Sequence, residues 1–193
     1  NNLLGDNTYC PLIRRTDALN HAMASGLDLE AKSLVESCEP TILARAVHYL
    51  YTKETKSSFA IEGEVPSAKR TERFVAALTR AAKFDTSDPQ AFIRLQNDIV
   101  DPRYAATGWR TVQSFIGETM SDFREHVHFV FPKPEDLADL MNGWMRMMEN
   151  LRHSKVDPVC AAAAASFGFV FIHPFEDGNG RIHRFLIHQE LAS

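Results

Sequence analysis

One short segment of the sequence concentrates side chains that could do phosphate chemistry. It runs from His173 to Arg184, reads HPFEDGNGRIHR, and follows an apolar helical stretch. Gly178 and Gly180 lack Cβ atoms, so the backbone around them can approach an anion closely. Where such a loop opens a helix, the free N–H groups and the helix dipole favour negative charge. The segment therefore predicts a loop that binds an anion, the simplest being a polyphosphate.

The charged side chains of the segment extend this interpretation. Arg181 and Arg184 are spaced i, i+3 and share one helix face, where they oppose the dipole unless an anion is bound. Asp177 offers a hard oxygen ligand, and Mg²⁺ prefers one or two carboxylates together with phosphate oxygens. His173 can take a proton near neutral pH. Together these residues favour phosphoryl or nucleotidyl transfer, with His173 deprotonating a hydroxyl acceptor.

Other interpretations of the glycine pair fit the sequence less well. A dinucleotide-binding loop needs a third glycine and a preceding strand, whereas GNGRIH lacks that glycine and follows a helical stretch. The Walker A lysine motif is absent from the sequence. A helix–helix turn without function is the remaining alternative, but the adjoining His, Asp, Asn and two Arg side chains argue against it.

The same segment resembles a known family. It matches the Fic domain signature His-x-Phe-x-Asp/Glu-Gly-Asn-Gly-Arg-x-x-Arg at every specified position, and the resemblance covers about residues 40–193. The Fic proteins that this sequence resembles are mostly α-helical and transfer AMP from ATP to a protein hydroxyl. The resemblance thus implies a protein adenylyltransferase with Mg²⁺ as cofactor and ATP as co-substrate, in which Phe175 anchors the loop.

The resemblance also implies a role for each matching position. His173 is expected to be the general base, and Asp177 is expected to hold Mg²⁺. A hairpin over about residues 111–131 resembles the family's flap, which aligns a segment of the target protein by strand addition. The other implied site residues are Gly178, Asn179 and Gly180 as the anion hole, Arg181 and Arg184 on the triphosphate, and Ile116 and Gly117 where the flap borders the nucleotide.

A second motif lies upstream, in the sequence SSFAIEG. Ser58 and Glu62 are spaced i, i+4 on one helix face, and Gly63 follows as a helix-ending glycine. Glu62 then stands at the negative end of the helix, which suggests a cationic partner elsewhere. The motif resembles the family's inhibitory signature Ser/Thr-x-x-x-Glu-Gly/Asn, which implies that Glu62 binds Arg184 in place of the ATP γ-phosphate. The alternative is an ordinary surface glutamate before a capping glycine.

The elements that must position these motifs are mainly helical. Apolar residues recur at helical spacing after Pro40, with Thr41 as the predicted N-cap, and Asp88-Pro89 predicts another helix start. A further amphipathic helix is predicted over residues 137–151. The stretch from Pro158 to the catalytic loop is apolar almost all round, which predicts a buried central helix.

One segment has strand character. Residues 111–131 are rich in β-branched and aromatic residues, with Val127, Phe129 and Phe131 at alternating positions, which predicts a β-hairpin. His126 and His128 share one face of it, but two ligands are too few for a metal site. The predicted fold class is therefore mainly α, a Fic-type helical bundle with one β-hairpin flap.

The expected organisation has three parts. Residues 1–39 are expected to form an irregular N-terminal arm with at most a short helix. Residues 40–105 are expected to hold the N-terminal helices, with the inhibitory helix at about 55–63, and residues 106–193 the Fic core with the loop at 173–184. Because related proteins continue with further helices, the core is expected to be cut short at its C-terminus.

The amino-acid composition limits the class of protein and the binding partners that can be expected. The chain has 193 residues, 45% of them hydrophobic, and a formal net charge of −4, so a globular protein without non-specific nucleic-acid binding is expected. The three cysteines form no CxxC pair, which favours a reducing, cytoplasmic setting. No apolar run reaches the ~18 residues of a membrane span. The expected partners are ATP and a target protein at the flap, and a homo-oligomer is left open.

Two classes of function remain open from the sequence. The favoured one is an autoinhibited, Mg²⁺-dependent transfer of AMP to Ser, Thr or Tyr of a target, with automodification or the reverse removal of AMP as variants. The other is a non-enzymatic, nucleotide-responsive regulatory or interaction module. The intact His173 and Asp177 argue against that second class, and Gly180 argues against the kinase-like relatives that replace the loop.

Overall fold

The computed structural model describes residues 3–121 and 123–192; residues 1, 2 and 193 at the ends of the predicted arm and core, and residue 122 of the predicted flap, lie outside that range. It confirms a mainly α fold with one antiparallel hairpin. Short 3₁₀ turns occupy Ala81–Lys83, Pro102–Tyr104 and Pro134–Asp136. The helices and strands are α1 (Asp17–Ala24), α2 (Leu27–Ser37), α3 (Pro40–Ile61), α4 (Ala68–Thr79), α5 (Pro89–Ile99), β1 (Phe115–Thr119), β2 (Glu125–Val130), α6 (Leu137–Arg152), α7 (Pro158–Ile172) and α8 (Asn179–Leu191).

Two helix starts show how local sequence sets these bounds. The Asp88 carboxylate accepts a hydrogen bond from Gln90 N at 2.9 Å, which confirms the predicted N-cap of α5. The predicted N-cap of α3 was wrong: Glu39, not Thr41, caps this helix, and its carboxylate accepts from Thr41 N at 3.2 Å. The reason is Pro40 at the first helical position, which fixes the preceding residue in extended backbone.

The core is built around one face of α7. Phe92 of α5 stacks on Phe169 of α7 with ring centroids 5.4 Å apart, and Trp144 of α6 closes the cluster edge-on. The Trp144 indole N–H donates to the Ala165 carbonyl at 3.0 Å, so the one polar atom of this large buried side chain is satisfied. These contacts fix the end of α7 from which the loop that begins at His173 departs.

The prediction that α7 is buried on every side was wrong. Phe167 is 63% exposed and Phe171 is 45% exposed, because α6 and α8 cover only the opposite face. Phe171 contacts Phe129 of β2, with ring centroids 5.2 Å apart. Although the sequence of α7 is apolar on every side, the outer face of this helix therefore contacts the hairpin and solvent, not a second layer of helices.

The N-terminal segment is more ordered than the sequence suggests. It contains α1 and α2, where one short helix was expected, although neither helix buries a residue. Residues before α1 pack on the core: Arg146 pairs with Asp6 at 2.7 Å, and the Tyr9 hydroxyl lies against Gly168, where a Cβ atom would not fit. The segment is thus anchored to the core through residues before α1.

The hairpin lies beside the end of α7. β1 and β2 pair antiparallel, Ile116 opposite Phe129 and Gly117 opposite Val127, with an irregular register between the two pairs. His126 and His128 share a face, as expected, with ring centroids 4.7 Å apart. Across residues 3–121 and 123–192, no helix combines the length and apolar character that crossing a membrane requires.

Candidate active site

The loop between α7 and α8 is held in shape by its own residues. His173 leaves α7 with φ of 55°, in the left-handed region that non-glycine residues rarely adopt, and Gly178 precedes α8 with φ of 93°. Phe175 is fully buried. The Asn179 side chain accepts from Phe175 N at 3.0 Å and donates to Phe175 O at 2.7 Å, which closes the loop on itself. Asn179 therefore shapes the predicted anion hole, while the N-terminus of α8 has no side-chain cap.

His173 is placed as a neutral base. Its Nδ1 lies 3.2 Å from the Val170 carbonyl oxygen, and because a carbonyl only accepts, Nδ1 carries the hydrogen and Nε2 remains the acceptor. The His173 ring stacks on the Phe131 ring, with the two ring centroids 3.9 Å apart. Burial lowers the pKa of His173, and the Arg110 charge lowers it further, against the Val170 hydrogen bond and the charges of Glu62 and Asp177.

Arg110 ties the base to the hairpin, and sequence reasoning missed it. The guanidinium donates to three backbone carbonyls: His173 at 2.7 Å, Val112 at 2.8 Å and Pro132 at 2.6 Å. Val112 and Pro132 lie just outside the two strands, so one side chain joins the catalytic loop to both ends of the flap. Arg110 is only 4% exposed, and burial lowers its pKa. A lone arginine in a β-branched segment carries no periodic signal that could have indicated this contact.

Asp177 has one oxygen engaged and one available. Its Oδ1 accepts from Gly178 N at 2.6 Å and from Arg181 Nη2 at 2.7 Å. Its Oδ2 accepts no hydrogen bond from the residues that the structure describes. The backbone carbonyl of Asp177 accepts a hydrogen bond at 3.1 Å from Nε2 of Gln96, which lies on α5. Within the same residues no cluster of three or more His, Cys, Asp or Glu side chains could hold a metal ion. A single free carboxylate oxygen fits Mg²⁺ only when phosphate oxygens complete its ligand set.

Arg181 lies deeper than the sequence-based expectation of a triphosphate contact implies. Its side chain is 1% exposed and pairs with Asp177 at 2.7 Å and with Glu64 at 3.0 Å. Its guanidinium carbon sits 5.0 Å from the centroid of the Phe59 ring. In this arrangement Arg181 orients Asp177, and its guanidinium is enclosed by protein.

Arg184 is bound by the end of α3, as the inhibitory motif implies. Its Nε donates to Ser58 Oγ at 2.6 Å, and its Nη2 donates to Ser58 O at 3.1 Å and to Glu62 Oε1 at 2.8 Å. Gly63 has φ of 70° and ends the helix, as predicted. The Glu62 carboxylate also lies so close to Gly180 that a Cβ there would collide with it. Ser58, Glu62, Gly180 and Arg184 therefore form one cluster at the N-terminus of α8.

Ile116 and Gly117 stand apart from this cluster. Both lie on β1 at the irregular point of the register, and Ile116 is largely exposed. In the described part of the chain neither forms a hydrogen bond to residues 173–184. A Cβ on Gly117 would crowd the His126 carbonyl at 2.8 Å, so the glycine is required by the close approach of the partner strand.

Sequence and structure comparisons connect this geometry to known proteins. A family model described as the Fic/DOC family matches residues 86–191, more than half of the chain. Proteins named Protein adenylyltransferase Fic from Drosophila sechellia and Drosophila melanogaster are 46% identical over 56 residues, or 29% of this chain. That match spans 11% of the length of those curated relatives.

Solved structures share the fold over most of the chain. A Fic family protein from Desulfovibrio desulfuricans G20 matches with a TM-score of 0.67 and 19% identity, covering 95% of this chain and 60% of that one. Fic-1 from C. elegans matches with a TM-score of 0.59 and 20% identity, covering 90% of this chain and 57% of that one. The matched family segment contains the hairpin, α7, the loop and all of α8, so the chain belongs to the Fic/DOC family.

Proposed function

We propose that the chain is an autoinhibited protein adenylyltransferase, which moves AMP from ATP to a Ser, Thr or Tyr hydroxyl of a target protein. The observation that carries the proposal is the convergence, in one loop, of a neutral His173, a free Asp177 oxygen and an uncapped helix N-terminus. The relatives named Protein adenylyltransferase Fic support the same reaction class.

The proposed chemistry assigns the proton to one atom. His173 Nε2 takes the proton of the acceptor hydroxyl, whose oxygen bonds to the α-phosphorus of ATP while the bond to the pyrophosphate leaving group breaks. Nδ1 keeps its hydrogen and its hydrogen bond to the Val170 carbonyl throughout the reaction, which holds the ring in one orientation. The lowered pKa keeps His173 neutral, and thus able to accept a proton, at physiological pH.

The triphosphate is proposed to lie over the start of α8. Gly178, Asn179 and Gly180 lie at the positive end of the helix dipole, where Gly178 N–H donates to Asp177 Oδ1, and Arg184 supplies a guanidinium next to them. Bound Mg²⁺ would be held by Asp177 Oδ2 and would neutralise phosphate charge. Arg181, enclosed by protein, keeps Asp177 in place through its bond to Oδ1.

Autoinhibition is proposed to operate through Arg184. The Glu62 carboxylate occupies the anion-binding end of α8 and engages the same guanidinium that a γ-phosphate needs. Ser58 also accepts hydrogen bonds from Arg184 Nε and Nη2, so the guanidinium is aligned with Glu62 before any nucleotide arrives. ATP must therefore displace Glu62 to bind in line for attack, and Gly63 lets the chain turn away immediately afterwards.

The flap is proposed to hold the target. Both edges of the two-stranded sheet are open among the described residues, so an extended target segment can add a strand to one of them. Ile116 and Gly117 lie mid-strand on β1 and are proposed to border the nucleotide. Arg110 fixes both ends of this hairpin to the loop, which sets the distance between target backbone and His173.

Removal of AMP from a target is a second candidate for the same site. A carboxylate beside the anion-binding helix end can orient a water molecule as well as block a phosphate, and the Glu62 side chain is 35% exposed. This activity requires Glu62, whereas transfer is restrained by it. The two directions are thus separated by one substitution, Glu62→Gly.

The test uses ATP labelled at either the α- or the γ-phosphate. Wild type, Glu62→Gly and Glu62→Gly/His173→Ala are incubated with cell lysate and Mg²⁺, and labelled proteins are resolved by electrophoresis. The α-label is expected to appear on protein with Glu62→Gly and to disappear when His173 is also replaced. Label from the γ-position would indicate phosphoryl transfer, and nucleotide binding without either label would favour a nucleotide-responsive regulatory module.

A further inference from the structure

The turn after α3 carries a second carboxylate with a different partner. Glu62 and Glu64 lie on either side of Gly63, whose φ of 70° reverses the local backbone. Glu62 pairs with Arg184 at 2.8 Å, whereas Glu64 pairs with Arg181 at 3.0 Å. Each arginine of the loop motif is therefore held by one of two carboxylates that are two residues apart in sequence.

Glu64, whose side chain is 31% exposed, joins two enclosed arginines in one ion network. Besides Arg181, it pairs with Arg70 of α4 at 2.7 Å, and the side chains of Arg181 and Arg70 are only 1% and 11% exposed. The two guanidinium carbons lie 5.0 and 4.8 Å from the centroid of the same Phe59 ring. Without Glu64, two enclosed cations would share one aromatic ring. Arg181 would keep Asp177 and Arg70 would keep the Ile99 carbonyl, but both would lose the carboxylate that they share, and removal of one partner of an enclosed ion pair is unfavourable.

The network ends at Asp177 Oδ1, on the carboxylate whose other oxygen accepts no hydrogen bond from the described residues. Arg181 Nη1 forms an ion pair with Glu64 at 3.0 Å that lacks hydrogen-bond geometry, and Arg181 Nη2 donates to Asp177 Oδ1 at 2.7 Å, so Glu64 acts on Asp177 through the charge and position of a single rigid guanidinium. The charges of Arg70, Glu64, Arg181 and Asp177 sum to zero. Removal of the Glu64 charge makes the group net positive, which disfavours a divalent cation at Asp177.

We propose that Glu64 is a positioning residue that acts through Arg181 to hold Asp177 ready for a magnesium–nucleotide complex. This inference rests on the proposed function. It gives the two carboxylates of one turn opposite effects: Glu62 restrains the site and Glu64 sustains it. A purely structural Glu64 would affect stability alone, whereas this role also sets the dependence of nucleotide binding on Mg²⁺.

The experiment uses Glu62→Gly as the background, since its site is unblocked. Glu64→Gln is added to that background, with Glu72→Gln as the control, because Glu72 is an exposed glutamate of α4 outside the network. ATP affinity is measured by calorimetry in EDTA and at rising Mg²⁺ concentrations. Glu64→Gln is expected to raise the half-saturating Mg²⁺ concentration at least fivefold and to leave ATP affinity in EDTA within about twofold. Glu72→Gln is expected to change neither quantity.

Further variants test whether the result depends on folding and whether Glu64 acts through Arg181. Glu64→Asp keeps the charge and is expected to recover part of the Mg²⁺ dependence, which also covers the case in which Glu64→Gln does not fold. If Glu64 acts through Arg181, then Arg181→Gln and the double variant with Glu64→Gln should show the same half-saturating Mg²⁺ concentration. Additive losses in that pair, or an unchanged Mg²⁺ response of a folded Glu64→Gln, would overturn the proposal.

The readout separates this inference from the proposed function. Binding of ATP in the presence of Mg²⁺ requires no transfer, so the response of Glu64→Gln is measured even if no protein is labelled. Loss of the proposed transfer with normal Mg²⁺-dependent binding would refute the proposed function alone. An unchanged Mg²⁺ response alongside clear labelling would refute the role of Glu64 alone.

Discussion

Replacement of Glu62 by Gly is expected to release Arg184 for a nucleotide phosphate. The ion pair joins Arg184 Nη2 to Glu62 Oε1 at 2.8 Å, with 19% and 35% of the two side chains exposed. Shielded hydrogen bonds to charged groups contribute about 1.5–3 kcal/mol and exposed ion pairs about 0.2–1 kcal/mol, so this partly shielded pair is placed at about 1–2 kcal/mol. Because about 1.4 kcal/mol is tenfold, AMP labelling is expected to rise about 5- to 30-fold.

The assay compares rates of α-label transfer by wild type, Glu62→Gly, Glu62→Gln and Arg184→Ala. Glu62→Gln keeps the size of the side chain and removes its charge, so it is expected to show part of the gain. Arg184→Ala is expected to show none, because it removes the partner of Glu62 and the phosphate contact together. Ser58→Ala removes only the 2.6 Å contact to Arg184 Nε and is expected to give a smaller gain than Glu62→Gly.

Two results would contradict the restraint of the site by Glu62. If folded Glu62→Gly labels no more protein than wild type while binding ATP equally well, then the Glu62–Arg184 pair does not restrain the site. Equal gains from Glu62→Gly and Arg184→Ala would also contradict it, since Arg184 would then have no part in holding the triphosphate. Circular dichroism and thermal unfolding of each variant establish that the comparison is made between folded proteins.

Three further predictions concern the base, the carboxylate and the flap. In the Glu62→Gly background, His173→Ala is expected to lower the rate of transfer by ~10²–10⁴ and to leave ATP binding unchanged. With His173 intact, the rate is expected to fall with decreasing pH only below the ordinary histidine pKa of about 6.5, because burial lowers the pKa of His173. A midpoint of this fall above 6.5 would contradict the assignment of His173 as the base. Asp177→Ala is expected to abolish Mg²⁺-dependent activity, whereas Glu176→Ala is not, and the reverse pattern would mean that the other carboxylate is the ligand. Arg110→Met is expected to lower the free energy of unfolding by about 2–4 kcal/mol in urea titrations, since three hydrogen bonds from a charged group are lost; a loss below about 1 kcal/mol would show that the flap ends are held by other contacts.

Local patterns predicted most of the fold because the helices and strands depend on short-range features. The N-cap at Asp88 and the hairpin of residues 111–131 were predicted from adjacent residues and are present. The burial of α7 was mispredicted because a sequence reports which faces are apolar and not what covers them. Phe167 and Phe171 are apolar but face the hairpin side and solvent.

The site divides in the same way between local and distant contacts. The arrangement of Asp177 beside Arg181 follows from an i, i+4 spacing and needs no knowledge of the fold. Arg110 reaches a carbonyl 63 residues away, and no periodicity relates the two positions. Glu64 is still farther from Arg181 along the sequence, and the contact between them depends on how α3 packs against α8. Such contacts emerge only once helix packing is known, whereas the Glu62–Arg184 contact was expected solely because a family motif implies it.

The position of Glu62 between two helix ends explains why its contact with Arg184 can be both specific and displaceable. As the C-cap of α3, Glu62 places a negative charge at the negative end of its own helix, which is unfavourable. The same carboxylate lies against Gly180 in the first turn of α8, where negative charge is favourable. The two dipole contributions oppose each other, so the attraction to Arg184 decides the contact. Under the proposed function, a triphosphate over α8 would carry more charge and would not experience the opposing end of α3, and both differences favour it in the competition with Glu62.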